Sequence, residues 1–311
     1  MLYIDKLYKN YGSFTAVRGL TLRIPKGDLF GFVGPNGAGK TTTMRIVCGL
    51  LRATAGSVTV NGITRGVTGK DMKDLKKCIG YVPDFFGVYD NLKVSEYMEF
   101  YGSLNGMFYK DIQAVSDFLL DLVKLSDKKE FYVDTLSRGM KQRLCVARAL
   151  IHGPELLVMD EPSSGLDPTA RIEMKELLMN VNSMGKTIMI SSHILSDIAE
   201  MCNSIGIMNY GVLVAAGRME DILKMGTDMS RVIIEYRCDP KMVVGALKAF
   251  QDIQVVEVKE NQVTLAGVTD DMMSSQIVAH LIAQGVIVSG FHRDEKNLES
   301  LFMNLTGGVS A

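Results

Sequence analysis

Leu29-Phe30-Gly31-Phe32-Val33-Gly34-Pro35-Asn36-Gly37-Ala38-Gly39-Lys40-Thr41-Thr42-Thr43-Met44-Arg45-Ile46-Val47 reads as an apolar strand, a glycine-rich loop and the opening of a helix. The run Leu29–Val33 is continuously apolar, as in a strand buried on both faces. Gly34 to Thr41 satisfies G-x-x-x-x-G-K-[ST], and it lies where that pattern carries meaning, between a strand and a helix. Glycines let backbone N–H groups turn inward around a phosphate chain, and the helix N-terminus adds the positive end of its dipole. Lys40 brings a point charge to β- and γ-phosphates, and the Thr41 hydroxyl can ligate Mg²⁺. Gly34, Pro35, Asn36, Gly37, Ala38, Gly39, Lys40, Thr41 and Thr42 are therefore the expected phosphate-contacting residues.

Outward from this loop, buried-strand runs recur at Leu156–Met159 and Thr187–Ile190, with helical periodicity between them. Strands alternating with helices predict a parallel sheet. The run Leu156–Met159 continues into Asp160-Glu161-Pro162 and so delivers two carboxylates to a strand's C-terminal end, the edge at which open α/β sheets bind ligands. Alternate side chains of a strand point to opposite faces, which predicts different tasks for the two acids. Asp160 is expected to hold Mg²⁺, and Glu161 to orient and deprotonate an attacking water.

The remaining layout is coarser. Short runs at Leu2–Tyr8, Phe14–Val17 and Leu20–Ile24, with Gly12 and Pro25, predict a small antiparallel sheet. Val94 to about Leu125 is helical by period and predicts a separate helical lobe over about 85–150. Asp167 caps the next helix, Pro168 occupies its first turn and Gly185 stops it. A linker is expected at Gly226–Ser230, dividing the chain into 1–226 and 227–311. Beyond it, strand Arg231–Tyr236, helix Lys241–Phe250, strands Ile253–Lys259 and Gln262–Ala266, helix Asp270–Gln284 and strand Val286–Phe291 follow. That order, βαββαβ, predicts a small ferredoxin-like α+β domain.

Composition sets the outer limits. Lys plus Arg is 34 and Asp plus Glu 35, a net charge of −1, which argues against a dedicated nucleic-acid binder. An apolar run approaching ~18 residues is missing, so the chain is not expected to span a membrane. The N-terminus lacks the basic-then-apolar layout of an export signal. The 5 cysteines are scattered, as expected for reduced, buried thiols in the cytoplasm.

With these motifs placed, residues 1–225 resemble the nucleotide-binding subunit of an ATP-binding-cassette (ABC) transporter. The fold so implied is a P-loop NTPase of ABC type, α/β, with a mixed sheet and a helical lobe. Leu136-Ser137-Arg138-Gly139-Met140-Lys141-Gln142-Arg143 matches the family's signature segment, Ser163-Ser164-Gly165-Leu166-Asp167 its D-loop, and Ser191-Ser192-His193 its switch histidine. The resemblance implies that Tyr11 stacks on adenine, that His193 contacts the γ-phosphate, and that Asp167 joins the nucleotide site. It further implies that Ser137 and Gly139 of one copy cover the γ-phosphate held by a second ATP-binding subunit, identical or related. By residue type alone Ser137 is a good N-cap of an amphipathic helix, which the same residues also satisfy.

Two positions depart from the family pattern. The common signature reads Leu-Ser-Gly-Gly-Gln, whereas Arg138 and Met140 stand here, a variant that resembles exporter-type subunits. Asp84 stands where the family usually has Gln; it is expected near Mg²⁺, through water. Phe85-Phe86-Gly87-Val88-Tyr89 and the helix from Val94 correspond to the region that receives the membrane subunit, and equally suit core packing. The tail Asn297–Gly307 resembles the one that closes exporter-type subunits, with a structural or regulatory role. The implied function is an ATPase that dimerises around two ATP molecules and powers an exporter through a separate membrane-spanning permease, from the cytoplasmic face of the membrane. A soluble ABC-type ATPase of translation or DNA repair, and a non-hydrolysing regulatory module, are the alternatives.

Overall fold

In the computed structural model the chain opens on two long antiparallel strands, β1 (Leu2–Tyr11) and β2 (Phe14–Ile24). The structure describes residues 1–64, 69–84, 87, 91–225, 231–250, 252–268, 270–293 and 302. The runs Phe14–Val17 and Leu20–Ile24, expected as separate pieces, belong to the one strand β2, which passes through Gly19 at φ +67°. A Cβ there would meet the Tyr8 hydroxyl at 2.8 Å, so glycine lets the strand stay whole beneath that ring. After Pro25 the chain enters β3 (Leu29–Val33), buried at every residue, and then α1 (Lys40–Val47). It returns through β4 (Ala55–Val60) and β5 (Ile63–Thr64) to complete an antiparallel sheet of order β2-β1-β4-β5.

Next come α2 (Gly69–Lys77) and β6 (Ile79–Val82), then the helical lobe: α3 (Val94–Leu104), α4 (Tyr109–Leu122) and α5 (Arg138–Leu150). What the periodicity presents as one helical stretch is broken at Asn105-Gly106, where Gly106 takes φ +76°. α3 and α4 approach closely at Gly102, where a Cβ would lie 2.7 Å from Ile112 Cγ1. The chain goes on with β7 (Leu156–Met159), α6 (Pro168–Ser183), β8 (Thr187–Ser192), α7 (Leu195–Met201), β9 (Ser204–Asn209), β10 (Val212–Arg218) and α8 (Met219–Met225).

These strands form a second sheet, β10-β9-β3-β8-β7-β6, parallel from β9 to β6 with β10 antiparallel at its edge. Its register matters for the site. Val33 pairs with Ser192, Met159 with Ile190, and Val82 with Met159, so β3, β8, β7 and β6 end side by side. Leu2, Ile4, Val17, Phe30, Phe32, Met44, Ile46, Leu156 and Val158 fill one continuous core between the two sheets and α1.

The chain divides into two compact units, Met1–Met219 and a second beginning at Glu220. The second comprises α8, β11 (Arg231–Tyr236), α9 (Pro240–Leu247), β12 (Gln254–Lys259), β13 (Gln262–Ala266), α10 (Asp271–Ala283) and β14 (Val288–Arg293). Its antiparallel sheet has the order β12-β13-β11-β14, the ferredoxin-like arrangement of a βαββαβ chain. Asp239 and Asp270 cap its helices, accepting from Lys241 N and Met273 N. Val232, Ile234, Tyr236, Val263, Leu265, Ile277 and Leu281 form a core of its own. The expected linker Gly226–Ser230, Phe85, Phe86, Val88 and Tyr89, and the tail Asn297–Gly307 apart from Phe302 lie outside the described residues.

Candidate active site

The glycine-rich loop joins β3 to α1 and is fixed by backbone contacts on three sides. Ala38 N donates to Pro35 O at 3.1 Å, and Gly211 N donates to Ala38 O at 3.0 Å. A Cβ on Gly34 would lie 2.2 Å from the Met208 carbonyl of β9. Gly39, the α1 N-cap, sits at φ +102°, and a Cβ there would lie 2.4 Å from the Ala16 carbonyl of β2. The first intrahelical bond runs from Thr43 N to Gly39 O, which leaves the amides of Lys40, Thr41 and Thr42 at the loop free of helical partners. Lys40 Nζ donates to Gly34 O at 2.6 Å and Pro35 O at 3.3 Å, holding its charge at the mouth of the loop. Burial pulls this ammonium below the usual lysine range, while Glu161 and Asp160 oppose the pull.

The carboxylates stand beside it because β7 ends beside β8, itself paired to β3. Asp160 is buried and accepts two hydrogen bonds on Oδ1, from Thr41 Oγ1 at 3.1 Å and Ser191 Oγ at 2.7 Å. Ser191 Oγ also accepts from Glu161 N at 3.0 Å, so one hydroxyl ties both acids to β8. Glu161 adopts φ +49°, a left-handed conformation that costs about 1–2 kcal/mol in a non-glycine residue. Strand alternation therefore does not separate the two acids as expected from sequence. β7 has ended at Met159, and the left-handed turn at Glu161 parts them. His193 Nδ1 lies 2.6 Å from Glu161 Oε2; the ionised carboxylate only accepts, so the ring N–H donates.

A cavity of about 320 Å³ opens over the loop, lined by Asn36, Gly37, Ala38, Gly39, Lys40, Thr41, Thr42, Asp84 and Glu161 among others. Tyr11, Phe14 and Ala16 of the first sheet close its far side. Tyr11 is half-exposed and carries Lys9 Nζ 4.9 Å from its ring centroid. Residues 36–42, Tyr11, Asp84 and Glu161 thus share one cavity, with Asp160 and His193 bonded to its lining residues, whereas Gly34 and Pro35 of the loop are outside the lining.

Ser137, Gly139 and Asp167 do not line it. Ser137 caps α5, accepting from Met140 N at 3.3 Å, and is itself exposed; Asp167 caps α6, accepting from Ala170 N at 3.0 Å. The first turns of α5 and α6 pack together, since a Cβ on Gly139 would lie 2.8 Å from Ala170 Cβ. Three contributors carry no local signal in the sequence. Phe14 and Ala16 line the cavity from a sheet that sequence placed only as a fold element. Ser191 was noted only as part of Ser191-Ser192-His193, and its role depends on the β7–β8 register rather than on any local pattern.

The chain as a whole resembles known proteins. A family model for the ABC transporter matches residues 17–164. Over 310 residues the chain is 32% identical to the linearmycin resistance ATP-binding protein LnrL of Bacillus subtilis, covering 99% of this chain and 98% of that protein. Over 307 residues it is 33% identical to the bacitracin transport ATP-binding protein BcrA of Bacillus licheniformis, covering 97% and 96%. Among solved structures, an ATP-binding subunit of an ABC transporter matches with a TM-score of 0.65 at 26% identity, over 73% of this chain and 93% of that one.

Proposed function

This chain belongs to the ABC transporter family as an ATP-binding, ATP-hydrolysing subunit, and from that premise we propose how its residues divide the work and what the work serves. The triphosphate lies in the loop Gly34–Gly39, with the amides of Lys40, Thr41 and Thr42 and the Lys40 ammonium on its β- and γ-oxygens. Thr41 Oγ1 and Asp160 Oδ1, 3.1 Å apart, are oxygen donors of the kind a hard divalent cation takes, with Asp84 in the same cavity as a further one through water. These oxygens would hold Mg²⁺, which when bound would supply charge neutralisation at the transferred phosphoryl group.

Glu161 is the general base. Its Oε2 is engaged by His193, and its other carboxylate oxygen takes the proton from a water as that water's oxygen attacks the γ-phosphorus; the bond from that phosphorus to the β–γ bridging oxygen breaks, and ADP leaves with the electron pair. His193 orients this carboxylate and contacts the γ-phosphate. Tyr11 stacks on the adenine at the cavity's far side.

The observation that carries the wider reading is that Ser137 and Gly139 do not line their own copy's cavity, while Ser137 stands exposed at the start of α5. A capped, exposed helix N-terminus with anion-binding geometry finds its phosphate on a second copy or a related chain, across which two ATP molecules are shared, and Asp167 joins the site from the same junction. Closure of that dimer on ATP and its release after hydrolysis drive an exporter. No helix among the described residues is long and apolar enough to cross a membrane. In this reading the permease is a separate chain, with this subunit seated on its cytoplasmic face. The names of LnrL and BcrA, one of resistance and one of transport, support export. Phosphate release from ATP by the full chain, and its co-purification with a membrane-spanning protein, test the reading. Absence of turnover, or fractionation with ribosomes instead of membranes, overturns it.

A further inference from the structure

The two departures of the signature segment from the common pattern are not equivalent. Met140 lies inside the first turn of α5, whereas Arg138 leaves the helix and reaches the loop that follows the hydrolytic carboxylate. Its Nη2 donates to Ser164 O at 2.9 Å. Ser164 N in turn donates to Glu161 O at 3.0 Å. Two hydrogen bonds therefore lead from the signature segment to the backbone of Glu161, whose left-handed turn sets where its carboxylate stands.

The receiving surface is shaped for a guanidinium. Gly165, at φ +65°, follows Ser164, and a Cβ on it would lie 2.6 Å from Arg138 Cζ, 2.6 Å from Nη1 and 2.7 Å from Nη2. Any side chain at 165 would occupy the place the guanidinium takes. The helix itself has no need of this side chain, because Ser137 already caps α5. At the very next residue after Arg138, the close approach of Gly139 to Ala170 holds α5 against α6. A second arginine, Arg143, pairs with Glu173 on α6 at 3.4 Å between Nη2 and Oε2. α5 and α6 are thus packed and ion-paired along their first turns, and Arg138 extends that contact into the loop before α6.

We propose that Arg138 is a positioning residue that couples the two nucleotide sites of the dimer, by tying the signature segment of one copy to Glu161 of the same copy. This rests on the dimeric reading above. Ser137 and Gly139, which flank Arg138, meet the γ-phosphate held by the second subunit, while Glu161 acts on the nucleotide of its own subunit. Arrival of the first phosphate displaces the α5 N-terminus. Arg138 carries that displacement to Ser164, and Ser164 to Glu161. Coupling of this kind is a difference in free energy between two arrangements of a packed element, and removing one link reduces it without touching either ligand.

The test uses the full-length chain, with its membrane subunit where turnover requires it. Arg138→Met keeps the stem and helix propensity but removes every donor; Arg138→Lys keeps one charged donor; Gly165→Ala sets a methyl against the guanidinium. Steady-state phosphate release gives kcat, KM and the Hill coefficient, and a fluorescent ATP analogue at subunit concentrations too low for dimerisation gives the affinity of a single loop. Arg138→Met is expected to lower kcat about tenfold and bring the Hill coefficient to about one, with single-loop affinity within about twofold of wild type. Arg138→Lys should lie between Met and wild type. Combining Arg138→Met with Gly165→Ala should cost no more than the more severe of the two alone, because both break the same link. Wild-type kcat and Hill coefficient in Arg138→Met, measured beside an active wild type, overturn the proposal and leave the functional reading standing. Loss of single-loop affinity in Arg138→Met together with turnover also overturns it, since Arg138 would then serve the fold of the unit. A wild-type chain that binds ATP but never releases phosphate overturns the functional reading, and the proposal with it.

Discussion

At the scale of single residues the site turns on Ser191, whose hydroxyl donates to Asp160 and accepts from the amide of Glu161. Ser191→Ala leaves that amide without its partner and strips one of two hydrogen bonds from a buried carboxylate. The expected cost is about 1–3 kcal/mol of stability. Because the lost bond holds the left-handed turn at Glu161, kcat should fall more than KM rises; urea midpoints together with steady-state phosphate release check both parts. Glu161→Gln separates binding from chemistry. The amide still accepts from His193 but cannot take a proton, so phosphate release should drop by about 10²-fold or more at unchanged ATP affinity. The ATP-bound dimer should then accumulate on size-exclusion chromatography. Turnover at the wild-type rate would remove Glu161 from its role. Lys40, Thr41, Asp160 and Glu161 were legible in the sequence because each belongs to a local pattern with a chemical reason for its spacing. Ser191 was not, because its task exists only once Met159 of β7 is paired with Ile190 of β8. The φ +49° of Glu161 was equally hidden, since Glu carries none of the signals by which Gly or Asn announce a left-handed turn.

At the scale of elements, the loop between β3 and α1 depends on its glycines for two different reasons, and substitution separates them. Gly34 takes an ordinary φ, but a Cβ on it would stand 2.2 Å from the carbonyl of Met208, and a backbone atom in a paired strand has no rotamer by which to move aside. Gly37 takes φ +79° with nothing within 4 Å of its missing Cβ. Gly34→Ala should therefore displace the loop from β9 and abolish measurable ATP binding. Gly37→Ala should retain binding, with a stability loss of about 1–2 kcal/mol from left-handed strain alone. Isothermal titration with ATP and thermal melting of the two variants distinguish these outcomes; equal loss of binding in both would mean that the loop is held by its local conformation and not by β9. Strand positions follow from the sequence where apolar pattern and burial agree, as in β3 and β7 and the Thr187–Ile190 part of the wholly buried β8. Elements follow from it less well where one residue changes the path. Gly19 keeps β2 continuous past Tyr8, and Gly106 splits the helical stretch into α3 and α4; both depend on a neighbour packed from elsewhere or on a turn that periodicity does not resolve. In the ferredoxin-like unit, order and strand pairing were legible, but helix ends were not: α9 stops at Leu247, three residues short of the expected Phe250.

At the scale of the whole molecule, two separate cores imply two cooperative transitions, of which nucleotide should move only one. The Leu2–Val158 core lies behind the phosphate loop, and the Val232–Leu281 core belongs to the second unit alone. A ligand that binds only the folded first unit stabilises it by about 2.7 kcal/mol at a concentration of 100 times Kd, and leaves the second unit where it was. The cysteines supply the readout. Cys48, Cys145 and Cys202 are buried in the first unit, where burial drives each thiol upward, Cys145 to about 11 and the other two beyond the usual thiol range. The thiolate is the reactive form, so at pH 8 these positions should stay unmodified until the first unit opens. Cys238 lies in the second unit and is only partly buried. In a urea titration with pulsed thiol labelling, saturating ATP in a Glu161→Gln background should shift the labelling midpoints of Cys48, Cys145 and Cys202 to higher urea while that of Cys238 stays fixed. A common midpoint for all four, moving together with ATP, would mean that the two units unfold as one, and that nucleotide binding at the loop is felt as far as the ferredoxin-like sheet.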